Sequence, residues 1–144
     1  MDSATLERFA GVARLYGKAG LERLGRTRFM VVGLGGVGSW AAEALARSGV
    51  GGLVLVDGDA VCASNANRQL HALDGAIGRP KAEVLAERAR GIHPGIDARA
   101  VVRFVSRPGA AEAIAGFDGV LIDAIDSLGA KCGLLAAAHA AGLR

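Results

Sequence analysis

The run RFMVVGLGGVGSWAAEALARSGVG, residues 28–51, limits the possible folds of this chain more than any other stretch. It opens with RFMVVGL, residues 28–34, apolar enough to read as a buried strand. It then passes through Gly33, Gly35 and Gly38 in a G-x-G-x-x-G pattern and continues as a helix from about Val37 to Arg47. Glycines at this spacing permit a tight strand-to-helix turn. They also let backbone N–H groups approach an anion at the positive end of the helix dipole. Gly49 suits the end of that helix. Residues 52–57, GLVLVD, then form a second strand, apolar nearly throughout, as parallel strands covered on both faces are. Asp57 ends it 19 residues after Gly38, where a nucleotide-binding unit places a carboxylate for ribose hydroxyls.

The rest of the chain repeats this alternation. Short helices are expected over 2–10 and 18–25, a polar helical turn over 65–71, and a helix from near Pro80 to His93-Pro94. A strand over 96–105 precedes a short helix near 108–116. A buried strand over 118–126 leads into a helix over 127–143 with Ser127 as its N-cap. The order β-α-β-α-β-α-β-α predicts an α/β fold, a doubly wound, mostly parallel Rossmann-like sheet. With 144 residues it is one domain, 1–144. After a final helix such a fold calls for another strand, so the sequence reads as the N-terminal fragment of a larger domain.

Bulk chemistry excludes several classes. A net charge of +3 accommodates an anionic ligand without marking a nucleic-acid binder. The two cysteines, Cys62 and Cys132, form no CxxC pair and cannot build a four-cysteine zinc site. Both read as packed thiols in a reducing, cytoplasmic setting. The N-terminus is charged and lacks the apolar centre of a signal peptide, and no apolar run is long enough to span a membrane.

Glycines and Asp57 alone leave NAD, FAD and ATP open. The stretch VDGDAVCASNANRQLH, residues 56–71, narrows the choice. A hydride-transfer site needs an acid for ribose and little cationic chemistry nearby. Here Asp59, Asn65, Arg68 and Gln69 follow Asp57, then Lys81 at a helix start and Asp126 at the end of the last strand. Each alone reads equally well as a solvated or helix-entry residue. Together, at the C-terminal ends of parallel strands, two cations and a metal-binding carboxylate suit a triphosphate whose charge must be neutralised as it breaks.

These motifs resemble the ubiquitin-activating-enzyme-like adenylyltransferases of the ThiF and MoeB type. The likeness spans nearly the whole chain: glycine loop, D-x-D, N-x-x-R-Q, G-x-P-K and D-x-x-D. RFAGVARLYG, GGVGSWAAEALARSG, NRQLHAL and IDAIDSLGAK are similar to the tRNA threonylcarbamoyladenosine dehydratases within that superfamily, with Trp40 and the ARLYG start the most telling. The resemblance implies ATP and Mg²⁺ as cofactors. Gly36 and its neighbours line the phosphates, and Asp57 holds the ribose. Asn65, Arg68 and Lys81 contact phosphates beside Gln69, and Asp126 assists Mg²⁺ and adenylyl transfer. It also implies a homodimer, tRNA bearing threonylcarbamoyladenosine as substrate, and a cysteine desulfurase or sulfur-acceptor system as partner. Arg8 and Arg14 lie near the place where the family supplies an arginine from the partner subunit. Two departures, Ser127 for asparagine and Asn67 for glutamine, weaken the alternative in which the substrate is the C-terminal glycine of a small sulfur-carrier protein. A further alternative is an NAD-binding or non-catalytic module, which would keep the glycines and Asp57 without needing Lys81 or Asp126. His71 reads as a surface or capping residue, His93 as part of a helix terminator and His139 as structural.

Overall fold

The computed structural model describes residues 2–144. Four strands, β1 (Arg28–Val32), β2 (Gly52–Val56), β3 (Asp97–Val101) and β4 (Val120–Asp123), alternate with helices α3 (Gly38–Arg47), α4 (Lys81–Ile92), α5 (Ala110–Ala113) and α6 (Leu128–Ala140). Two helices, α1 (Ser3–Arg8) and α2 (Ala10–Arg26), precede them. All strand pairings are parallel, in the order β3-β2-β1-β4. The α/β, doubly wound expectation therefore holds.

Period-two alternation explains why the central strands are apolar on both faces. Val31 of β1 and Leu53 and Leu55 of β2 pack with Ala42, Ala46, Ala82, Leu85, Ala86 and Ala89 of α3 and α4. Met30, Val32 and Val56 point the other way, onto Ala110, Leu134 and Ala138 of α5 and α6. The alanine-rich helix faces hold little area per residue and allow helix and sheet to approach closely. Leu85, 2% exposed, is one of the few large side chains in that layer. Its truncation to alanine leaves a cavity costing roughly 2–5 kcal/mol.

The chain runs β1, β2, β3 outward in one direction, then crosses to β4 on the other side of β1. Loops after β1 and β4 diverge at this reversal and open a crevice at the carboxyl ends of the strands. The glycine loop lies there.

Several element boundaries differ from the sequence expectation. β1 stops at Val32 because Gly33, with φ of 87°, turns the chain out of the sheet. β3 stops at Val101, leaving residues 102–105 as loop. β4 stops at Asp123, so Asp126 lies three residues beyond a strand and not at its end. Helix α2 fills the region from Ala10 onward, broken at Gly17 (φ 74°, ψ 164°). Ser127 occupies the N-cap position of α6 without making a side-chain cap hydrogen bond. Both cysteines are exposed and not packed, since each sits on the outward side of its turn or helix. His139 is exposed in the last turn of α6 and supports no packing.

Candidate nucleotide site

The glycine loop is shaped by two close approaches. A Cβ on Gly38 would fall 1.8 Å from the Gly33 carbonyl oxygen, and one on Gly33 would fall 2.7 Å from the Ala124 carbonyl oxygen. These two glycines let the start of α3 sit directly against the ends of β1 and β4. Gly35 and Gly36 meet no backbone instead: a Cβ there would make only side-chain contacts, with Gln69 at 3.8 Å and Arg68 at 3.4 Å.

Asp57 is the clasp of the site. One carboxylate oxygen accepts from the Leu34 N–H at 2.6 Å and the other from the Asp59 N–H at 2.8 Å. It thereby ties the loop after β1 to the loop after β2. A carboxylate is an acceptor only, and each oxygen retains a lone pair for a ligand hydroxyl.

Lys81 opens α4, and its ammonium donates to Asp59 Oδ2 at 2.9 Å. Its side chain is 6% exposed, against 54% for Asp59. The Lys81 N–H also donates to the Asp59 carbonyl at 3.0 Å, so backbone and side chain hold the D-x-D stretch to the helix start together. The pair is a buried cation with a wet counter-ion. An incoming phosphate oxygen can share that cation without leaving Asp59 buried and unpaired.

The polar stretch after β2 forms a 3₁₀ turn, Ala63–Asn65, and not a regular helix. Asn65 accepts from the Cys62 N–H at 3.3 Å through its side-chain oxygen. Arg68 is exposed and donates to Asn67 Oδ1 at 2.8 Å and the Ser64 carbonyl at 3.3 Å. Trp40, on α3, donates its indole N–H to the Arg68 carbonyl at 3.1 Å and so fixes the turn that carries the arginine. Gln69 is 7% exposed, and its Oε1 has no hydrogen-bond partner. Such an orphaned acceptor is costly unless a ligand or water satisfies it.

These residues meet at one cavity of about 780 Å³. Gly33, Gly35, Gly36, Asp57, Asp59, Asn65, Arg68, Gln69, Lys81 and Asp126 all line it. Gly38 sits behind the loop and is buried. Asp126 is exposed at the rim. Arg8 and Arg14 are elsewhere: Arg8 donates to the Ile92 carbonyl at 2.9 Å, at the far end of α4 from Lys81, and Arg14 is exposed on α2.

Sequence reasoning missed two groups. Asp123, with a side chain only 9% exposed, accepts from Lys131 at 2.6 Å and from the Ile125 N–H at 3.0 Å. It thus fixes the turn leading to Asp126. The D-x-x-D spacing and the lysine eight residues later were the available signal. His71, expected at the surface, is 1% exposed with neither ring nitrogen partnered. Burial depresses its pKa below the ordinary 6.5; the nearby Lys81 charge adds to this, while Asp57 opposes it.

The ThiF family matches residues 7–144. The chain belongs to the ThiF family. It is 47% identical over 136 residues to the tRNA threonylcarbamoyladenosine dehydratase of Escherichia coli (strain K12), covering 94% of this chain and 51% of that relative. It is 38% identical over 122 residues to the molybdopterin-synthase adenylyltransferase of the same organism, covering 85% of this chain and 49% of that relative. The crystal structure of E. coli tRNA N6-threonylcarbamoyladenosine dehydratase, TcdA, in complex with ATP matches with a TM-score of 0.95 and 45% identity. That match covers 99% of this chain and 58% of the other. This ThiF-family chain therefore spans about half the length of the curated relatives it matches.

Proposed function

We propose that this ThiF-family chain forms the ATP-binding part of a tRNA threonylcarbamoyladenosine dehydratase that activates a carboxylate by adenylation. The observation that carries the reading is the single cavity on which the glycine loop, Asp57, Arg68, Lys81 and Asp126 converge, in a chain 47% identical to such a dehydratase.

The residues fit ATP. Gly35 and Gly36 leave the loop backbone open to phosphate oxygens, and Asp57 retains lone pairs for ribose hydroxyls. Mg²⁺ fits as well. Among the described residues no group of three or more His, Cys, Asp or Glu side chains makes a cage. Mg²⁺ in nucleotide sites is held by one or two carboxylates plus substrate phosphates, and Asp126 provides one carboxylate. When bound, Mg-ATP supplies the adenylyl group.

In the proposed reaction, the threonine carboxylate of the modified adenosine attacks the α-phosphate and pyrophosphate leaves. An atom of the same modification then attacks the activated acyl carbon, AMP leaves and a ring closes, so the RNA loses the elements of water. Lys81 and Arg68 offset the negative charge that grows on the phosphate oxygens. The role of Lys81 is the more preorganised, because burial and Asp59 fix its ammonium beforehand. Asn65 supports Arg68 through the turn hydrogen bonds. The homodimer, the cytoplasmic setting and a cysteine desulfurase or sulfur-acceptor partner rest on the family resemblance.

A second reading, activation of a sulfur carrier's C-terminal glycine, is favoured by the 38% identity to a molybdopterin-synthase adenylyltransferase. AMP and pyrophosphate release decides between them. Turnover with tRNA bearing threonylcarbamoyladenosine alone supports the dehydratase. Turnover with the carrier protein alone supports the second reading, and turnover with neither removes both.

A further inference from the structure

The chain's single tryptophan stands on the surface. Trp40 lies in the first turn of α3, directly after the glycine loop, and is 54% exposed, whereas its neighbour Ser39 is fully buried. Half-exposure of an indole forfeits much of the hydrophobic gain that burial of so large a ring brings. A hydrogen bond accounts for its position better than packing does. The indole N–H donates to the Arg68 carbonyl at 3.1 Å, across 28 residues, and the Ser39 hydroxyl accepts from the Leu70 N–H at 3.4 Å, across 31. Two successive residues of α3 thus hold the chain on either side of Gln69.

The held stretch has little else to fix it. Residues 62–68 are exposed apart from Asn65, which is half-buried. Among the described residues, every other hydrogen bond made by residues 64–70 is local to the turn. Yet this turn sets the course of the Arg68 side chain. Its stem crosses the glycine loop, where a Cβ on Gly36 would meet three of its carbons at 3.4, 3.5 and 3.6 Å. Arg68 lines the nucleotide cavity and Trp40 does not, so any influence of Trp40 on a ligand there passes through another residue. Helix α3 thus carries both the glycine loop and the bond that sets Arg68, and two groups that face the cavity are built on one element.

We propose that Trp40 is a positioning residue for Arg68: its indole N–H anchors the Arg68 main chain, so that the guanidinium stands at the phosphate end of the cavity before ATP arrives. The proposal rests on the ATP reading above. Trp40 touches no ligand in it, and its effect is that of one hydrogen bond, roughly 2- to 10-fold in affinity.

The test is a double-mutant cycle on the full-length protein, read by calorimetric titration with Mg-ATP and, separately, with adenosine, which has no phosphate. Trp40→Phe keeps an aromatic ring and removes the N–H. It should weaken ATP binding within that range and leave adenosine binding within about twofold. Trp40→Leu, a second variant without the donor, should show the same pattern. In an Arg68→Ala background Trp40→Phe should change ATP affinity by less than about twofold, because the residue it positions is gone. A melting temperature matched to wild type separates positioning from folding. Wild-type ATP affinity in both Trp40 variants overturns the proposal. An equal loss in the wild-type and Arg68→Ala backgrounds also overturns it, because Trp40 would then act without Arg68. Parallel loss of ATP and adenosine binding overturns it too, since the role would be structural. Absence of ATP binding in the wild type is a different result and removes the underlying ATP reading.

Discussion

Alanine substitutions at Gly36 and Gly38 should have opposite effects, although the two residues are two positions apart in one loop. A methyl group on Gly38 would meet the Gly33 carbonyl oxygen at 1.8 Å and Ala124 Cβ at 3.2 Å. The first neighbour is backbone and cannot swing away, so α3 must shift off β1. Overpacking of this kind costs roughly 1–3 kcal/mol, and a backbone clash belongs at the top of that range. For a domain of this size, about 3 kcal/mol corresponds to a fall in Tm of about 10 °C. A methyl group on Gly36 would meet only the flexible Arg68 side chain, at 3.4 Å, and its backbone is not in the left-handed region. Gly36→Ala should therefore fold normally, even gaining about 0.4–1 kcal/mol from reduced freedom of the unfolded chain. Its methyl would crowd Arg68 and the open face of the loop, so Mg-ATP should bind more weakly. Thermal unfolding with and without Mg-ATP reads both effects. Gly38→Ala should melt early, whereas Gly36→Ala should melt like wild type but gain little from ligand. A Gly36→Ala protein with wild-type ligand stabilisation would refute the phosphate role of the loop, and a Gly38→Ala protein with a wild-type Tm would refute the packing argument.

Lys81→Ala and Asp126→Ala should each lower kcat for AMP release by roughly 10²–10³ with a much smaller change in ATP affinity, and near-wild-type rates would mean that both are ordinary helix-entry charges. Glu43 has a side chain 9% exposed; burial raises its pKa, but hydrogen bonds from Arg88 and Arg47 outweigh this and hold it below the ordinary 4.5. Its contribution is thus present above 4.5 and lost as pH falls through the folded-state value, so Glu43→Gln should cost about 2 kcal/mol at neutral pH and flatten the acid limb of a denaturation curve. His71 has a folded-state pKa depressed below 6.5, so the unfolded chain takes up its proton first as pH falls. Stability should therefore drop as pH goes below 6.5, and His71→Leu should shrink that drop in urea titrations at pH 5 and pH 8; an unchanged slope would show that His71 does not carry it.

Local chemistry made much of this protein readable from its residues. The glycine loop, the two central strands and the carboxylate at Asp57 follow from short-range rules: turn sterics, strand alternation and the length of one β-α-β unit. The helix start at Lys81 follows from Pro80, which presets the backbone there. The motif spacing also grouped Arg68, Gln69, Lys81 and Asp126 before any geometry placed them on one cavity.

Tertiary structure decided the rest, because the deciding contacts join residues far apart in sequence. The alternation over 96–105 looks like an unbroken strand, and only the β2–β3 register shows that pairing ends at Val101 and frees Phe104 as a loop residue. Nothing local to His71 predicts its burial, 1% exposed and within reach of the Lys81 and Asp57 charges. The pairing of Lys81 with Asp59 spans 22 residues, and the clasp from Asp57 to the Leu34 N–H spans 23. Such bonds exist only after β1, β2 and α4 have docked. The order β3-β2-β1-β4 sets which loops face one another across the crevice, and a linear pattern of apolar residues does not encode that order. A sequence names the groups that a site can use through their local constraints. Their distances and exposures, and the partners of their charges, come from docking the elements, where long-range packing outweighs local preference.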